Sequence, residues 1–177
     1  TGNSDVNGDI TINGGGSLIV EGTGTVTGTV TYVRSVPTTN WYLISSPVIG
    51  QDIDAFVAAS NLAVNGSNVG FSDYNNAAVA PASPWSYYQT GASGTGNFTP
   101  GVGHAVKLNA AGDVTFSGSF NDADASIAVT TNTNGFNLIG NPYLAAVSVV
   151  EMINANTSLL NSDGTTGEKT VWLWDQG

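Results

Sequence analysis

The chain of 177 residues contains no cysteine. A disulfide framework and a thiolate metal site are both excluded by that absence. Basic residues are nearly absent too: Arg34, Lys107 and Lys169 stand against 13 carboxylates, for a formal charge of −10. Such a field repels a phosphate backbone, so no nucleic acid and no anionic membrane surface is expected as partner. No apolar run approaches the ~20 residues of a membrane-spanning helix, and no membrane insertion is expected. The one histidine, His104, builds no metal cluster alone, and nothing near it resembles a nucleophile with its base and orienting group. The chain is read as non-enzymatic, with no cofactor. It begins at Thr1 without a charged-then-apolar leader, which reads as a processed or excised piece.

What is present is Gly, Thr, Ser and Asn in abundance, a composition of secreted β-rich proteins. Two stretches spell nearly the same word: Trp41-Tyr-Leu-Ile-Ser-Ser-Pro47 and Phe136-Asn-Leu-Ile-Gly-Asn-Pro142. Each is followed by a short helical pattern and then by an aromatic-rich strand, Pro84-Trp-Ser-Tyr-Tyr-Gln-Thr-Gly91 in the first and Val171-Trp-Leu-Trp-Asp-Gln-Gly177 in the second. This is an internal duplication, with repeat 1 over about 33–120 and an incomplete repeat 2 over about 126–177. The second copy stops where the Gly-rich loop and the strand Gly103–Leu108 of the first would follow.

Ahead of the duplication, the apolar side chains of Val6, Ile10, Ile12, Leu18, Val20, Val26, Val30 and Tyr32 all occupy even positions, so residues 1–32 are expected to form strands with one buried face. An eight-residue echo with Gly turns (Asp9–Gly16, Ser17–Gly24) is compatible with a β-meander or with the last coils of a β-solenoid stalk. Eight residues are short for a complete coil, which favours the meander. Tyr32-Val33 and Trp41–Ile44 are expected to pair across a turn at Val36–Asn40. Asp52 should cap a short helix that presents Ile53, Phe56 and Val57 on one side, and Ser148 with Glu151 has capping-box spacing. Residues 61–82 read as a surface excursion, whereas Asp113–Phe120 and Ser126–Thr130 read as strands. The expected fold is all-β: an antiparallel β-sandwich from two related halves (33–177) with short helices, plus the N-terminal segment.

The runs Ser17-Leu-Ile-Val-Glu-Gly-Thr23, Trp41–Val48, Gly101-Val-Gly-His-Ala-Val-Lys107, Val114–Gly118 and Phe136–Tyr143 resemble β-modules of large secreted proteins of Bacteroidota, found ahead of the sorting domain for type IX secretion. The resemblance implies a secreted or cell-surface location and transfers no catalytic residue. His104 stands where that pattern has Tyr or Phe, and is expected to be a packing or hydrogen-bonded residue.

Several residue groups are candidate sites. Asp5-Val-Asn7-Gly-Asp9 has the alternate-oxygen spacing with which Ca²⁺ loops begin, but Ile10 and Gly16 stand where the turn Gly and the bidentate carboxylate belong. Asp122 and Asp124, beside Asn121, form a second weak Ca²⁺ candidate, and an Asx-rich turn explains either group equally. Thr23, Thr25, Thr27, Thr29 and Thr31 would form a hydroxyl row about 6.6–6.8 Å apart, suited to a lattice or simply to a pleated surface. Trp85 and Tyr87, with Tyr88, Trp172 and Trp174, are candidates for a glycan platform, since aromatic planes stack on sugar rings; core packing is the competing account. Tyr88, on the face opposite Tyr87, is expected toward solvent. Two functions follow: a non-catalytic surface module for adhesion or appendage assembly, partnered by its own copies or neighbouring domains through strand exchange with 1–32 as donor, or a carbohydrate-binding module for a polysaccharide.

Overall fold

The even-position alternation of the first stretch resolves into parallel pairing. In the computed structural model, which describes residues 5–21, 23–130, 133, 135–157 and 171–174, the first four strands are β1 (Val6–Asn7), β2 (Ile10–Ile12), β3 (Val26–Thr27) and β4 (Val30–Val36). β1 lies parallel to β3 and β2 parallel to β4, with Val6 opposite Val26 and Ile10 opposite Val30. A meander pairs neighbouring strands antiparallel, so that expectation is corrected. The segment is a stacked coil whose turn is 20 residues long, and the eight-residue echo is not its register.

The remaining elements are β5 (Trp41–Ile44), α1 (Ile53–Ala59), β6 (Val64–Asn65), β7 (Asn68–Tyr74), β8 (Trp85–Gln89), β9 (His104–Lys107), β10 (Gly112–Gly118) and α2 (Val149–Ala155). The molecule is mostly β, with two short helices among the described residues. β4 does not pair with β5. It is flanked by β10, antiparallel, and by β2, while β5 joins a second sheet in the order β5-β9-β7-β6 with β8 also on β7. The Val36–Asn40 turn therefore carries the chain from one sheet to the other, a correction to the expected hairpin.

Residues 68–74, expected in a surface excursion, form the buried strand β7. Asn65-Gly66 is a hairpin signal, and Gly66 has the positive φ that such a turn needs. Gly70 leaves room for the Lys107 carbonyl of the neighbouring strand, where a Cβ would collide. Ser126–Thr130 is not a strand, and neither is Phe136–Pro142. That second copy meets the first through one β-bridge, Ile139 to Val102, with Gly103 N–H donating to the Leu138 carbonyl at 3.1 Å and Gly140 N–H to the Gly101 carbonyl at 2.8 Å, and through side chains such as Ser45, which donates to the Asn141 carbonyl.

One apolar cluster holds both sheets. Phe56 of α1 meets Phe71 of β7, Phe98, and Phe116 of β10, with ring centroids 5.9, 5.2 and 5.0 Å away. Asp52 caps α1 as expected, its carboxylate accepting from Ala55 N–H at 2.8 Å, and Ile53 and Phe56 are buried. Ser148 caps α2 by accepting from Glu151 N–H at 3.2 Å, and α2 has no fully buried residue.

Candidate functional site

Two features present chemistry to the outside: the edge of the stacked coil and one face of the larger sheet. In the coil, the weak Ca²⁺ candidates and the threonine row turn out to be partners. The Asp5 carboxylate accepts from both Thr25 N–H at 3.0 Å and the Thr25 hydroxyl at 2.9 Å. Asn7 Oδ1 accepts from the Thr27 hydroxyl at 2.9 Å, and Asp9 Oδ1 from Thr29 N–H at 2.8 Å. Below them the backbone ladder is regular: Val6, Gly8 and Ile10 N–H donate to the carbonyls of Thr25, Thr27 and Thr29 at 2.8, 3.0 and 2.9 Å. The oxygens of Asp5, Asn7 and Asp9 thus stitch one coil turn to the next.

Two glycines mark the corner of the coil. Gly8 and Gly28 share its register and both have positive φ, 119° and 103°. A Cβ on Gly28 would lie 2.6 Å from the Gly8 backbone. The signal was in the sequence: Asp-Val-Asn-Gly-Asp-Ile-Thr-Ile12 and Thr-Val-Thr-Gly-Thr-Val-Thr-Tyr32 agree at Val, Gly and Thr and conserve the apolar positions. On the side of β2 away from β4 no strand is paired among the described residues. In the segment 1–32, expected to be a donor strand, β1 pairs with β3 and β2 with β4, a strand that runs on to Val36 of the same chain.

Asn121 is buried and its amide donates to the Pro142 carbonyl at 3.0 Å, whereas Asp122 and Asp124 are exposed. The three do not converge. Among the described residues no three His, Cys, Asp or Glu side chains are grouped for a metal ion.

The face of the larger sheet turned away from Phe71 and Val106 carries Trp85 and Tyr87 of β8, Tyr74 of β7 and Trp41 of β5. Trp85 meets Tyr74 at 4.9 Å between ring centroids and Tyr87 meets Trp41 at 5.9 Å. Ser72 and Ala105, in register between them, are small and buried, so the rings lie across a shallow floor. The Trp174 indole N–H donates to the Trp41 carbonyl at 3.2 Å, which brings the last described segment to this face. Trp172 and Trp174 are 77% and 61% exposed and lie outside any strand, correcting the expected strand face.

Tyr88 corrects another expectation. It points inward, edge-on to Phe71, and its hydroxyl reaches Asp54 Oδ1 at 2.9 Å and the Ala92 carbonyl at 2.7 Å. Trp41 and Tyr74 were missed as members of the face. Trp41 leads the first copy of the repeated word, and alternation alone would have set it opposite Tyr42.

His104 is buried, stacked on Phe71 at 5.1 Å, with Nδ1 2.7 Å from Asp73 Oδ1. Its Nε2 has no partner among the described residues. Asp54 holds the loop after β8: its carboxylate accepts from Gly94 N–H at 2.6 Å and Thr95 N–H at 3.3 Å. The Thr95 hydroxyl, the largest influence, pulls Asp54 below the usual carboxylate range; desolvation opposes it, and Tyr88 and the backbone N–H groups of Thr95 and Gly94 add to the lowering.

A family model matches residues 3–177. The chain belongs to the family described as Domain of unknown function (DUF8693). In this DUF8693 chain the match spans the coil, both sheets and the second copy of the repeated word. No curated protein and no solved structure matches it.

Proposed function

We propose that the chain is a non-catalytic extracellular module that works by contact, in adhesion or in the assembly of a surface appendage. The observation that carries this reading is the stacked coil. Its turns add by parallel pairing at a fixed register, and the outer edge of β2 presents backbone N–H and C=O groups to a further coil. Strand exchange then makes this edge an acceptor. Secretion by the type IX route and a cell-surface location belong to the same proposal, and the resemblance of the runs around Trp41 and Phe136 supports them. The body is proposed to be an antiparallel β-sandwich derived from two related halves. In its support, residues of both sheets share one core, and the second Leu-Ile word lies against Gly101 and Gly103 of the first half.

The absence of native cysteine permits a clean test. Thr11→Cys, on the exposed side of β2, is cross-linked on intact producing cells. The proposal predicts labelling from outside the cell and cross-links to a coil of a neighbouring domain or copy. Labelling only after lysis, or no cross-linked product, contradicts it.

A second reading, a carbohydrate-binding module, is favoured by the shared face of Trp41, Tyr74, Trp85 and Tyr87. It predicts retention on an insoluble polysaccharide that Trp85→Ala and Tyr87→Ala abolish. Equal retention by both variants and the parent, or none by the parent, removes it.

A further inference from the structure

Away from the aromatic face, a cavity of about 210 Å³ opens between β4, the end of β5 and the second copy of the repeated word. Its polar lining comes from Tyr32, Arg34, Ser45, Asn141 and Tyr143. Three of these already have partners. Ser45 donates to the Asn141 carbonyl at 2.9 Å, and the Asn141 amide donates to the Ala145 carbonyl at 2.6 Å. The Tyr143 hydroxyl lies 3.2 Å from the Ala123 carbonyl and accepts from Ala125 N–H at 3.1 Å. The Tyr32 hydroxyl and the Arg34 guanidinium have no partner among the described residues.

Arg34 is oddly placed for an idle charge. In the β4–β10 register it sits opposite Val114, and Tyr32 sits opposite Phe116. Val114 and Phe116 are buried, as are Val30 and Val36 on either side along β4, so a half-buried cation interrupts a row of core side chains. A guanidinium cannot neutralise itself by losing its proton. Partial desolvation without a counter-charge costs free energy. With 13 carboxylates in the chain, an intramolecular partner was available to selection, yet none meets Arg34 among the described residues.

We propose that this cavity binds one carboxylate-bearing sugar unit, a uronate. The guanidinium fork matches a carboxylate in a bidentate pair. The Tyr32 hydroxyl adds a second free donor beside it, and Leu43, Pro47 and Leu138 give the apolar wall on which the C–H face of a pyranose rests. The small volume suits a single ring. None of the aromatic-face residues lines this cavity, so the site stands whether or not that face binds glycans.

The test is titration of the full chain with D-glucuronate and D-galacturonate, followed by amide chemical shifts. D-glucose and D-galactose serve as neutral counterparts, and acetate as the bare carboxylate. At least one uronate is expected to give saturable shifts around Arg34, Ser45 and Asn141, with its neutral counterpart and acetate each about tenfold weaker or more. Arg34→Gln, with the rest of its spectrum unchanged, should weaken the uronate by about tenfold or more. Arg34→Lys retains the charge without the fork and should also bind measurably more weakly; it decides the matter if the Gln variant does not fold. The proposal is overturned by no saturable shift from either uronate at millimolar concentration, by equal binding of the neutral sugar or of acetate, or by an affinity that Arg34→Lys leaves untouched.

Discussion

Asp5 binds Thr25 twice, through its backbone N–H and through its hydroxyl, across one full turn of the N-terminal coil. Asn7 with Thr27 and Asp9 with Thr29 repeat the relationship along the same edge. A carboxylate that accepts a backbone N–H satisfies a group the parallel ladder would otherwise leave to water. Residues that resemble the start of a calcium loop therefore serve as rungs between coil turns.

The corner glycines of that coil give the sharpest contrast. Gly8 has open space around a Cβ, whereas Gly28 would press its Cβ onto the Gly8 backbone. Gly8→Ala should cost about 1–2 kcal/mol for the positive φ alone. Gly28→Ala should cost clearly more, because the coil turns must also separate. Urea denaturation of both variants measures the difference, and equal losses would count against the stacked register.

Phe56 touches aromatics of α1's two supporting sheets at once, Phe71 on one and Phe116 on the other, and Phe98 bridges the same two rings. Phe56→Ala should lower stability by about 3–5 kcal/mol through lost burial and the cavity left behind. The same measurement on exposed Ile19→Ala should change little.

His104 occupies its place as an aromatic ring more than as a base. It stacks on Phe71 and meets Phe98 edge-on, and one of its nitrogens is buried without a partner among the described residues. His104→Phe keeps the stack and removes the unsatisfied atom, while the exposed Asp73 carboxylate returns to water. Stability should stay within about 1 kcal/mol. His104→Ala should lose more, as calorimetry of the two variants would reveal.

Acid should act on the loop that follows β8. Because Asp54 is held below its ordinary range, chiefly by the Thr95 hydroxyl, its contribution is complete above that ordinary range and disappears as pH falls through the lowered value. Tyr88 is raised, first by desolvation and then by Asp54, so its contribution persists below the usual phenol range and is lost as pH climbs through the raised value. Melting curves of the parent and Asp54→Asn should converge at low pH and diverge at neutral pH. A constant gap across the acid range would contradict the assignment.

Local signals carried far in this sequence. Asp52 ahead of Ile53 and Phe56 marked α1, and alternation marked β9 and β10, because caps and pleats act over a few residues. β7 escaped notice because Gly70 and Ser72 interrupt its apolar pattern. Their smallness makes sense only beside Lys107 and under the rings of Trp41 and Tyr87, all distant in sequence. The repeated Leu-Ile words illustrate the same limit. Leu43 and Ile44 find a full strand partner in β9, whereas Leu138 and Ile139 meet only the Gly101–Gly103 stretch. Identical letters took different structures because the available edges differed. Tyr88 was placed outward by comparison with Tyr87, and it turned inward because Asp54 and the Ala92 carbonyl supply partners for its hydroxyl.

The most direct measurement concerns the edge of the coil. A tandem copy of residues 5–24 inserted immediately before Asp5 should stack as one more turn, raise the melting temperature and add slowly exchanging amides in the inserted strands. An insertion that leaves the melting temperature unchanged, with every added amide exchanging as fast as in a free peptide, would contradict a coil built to be extended.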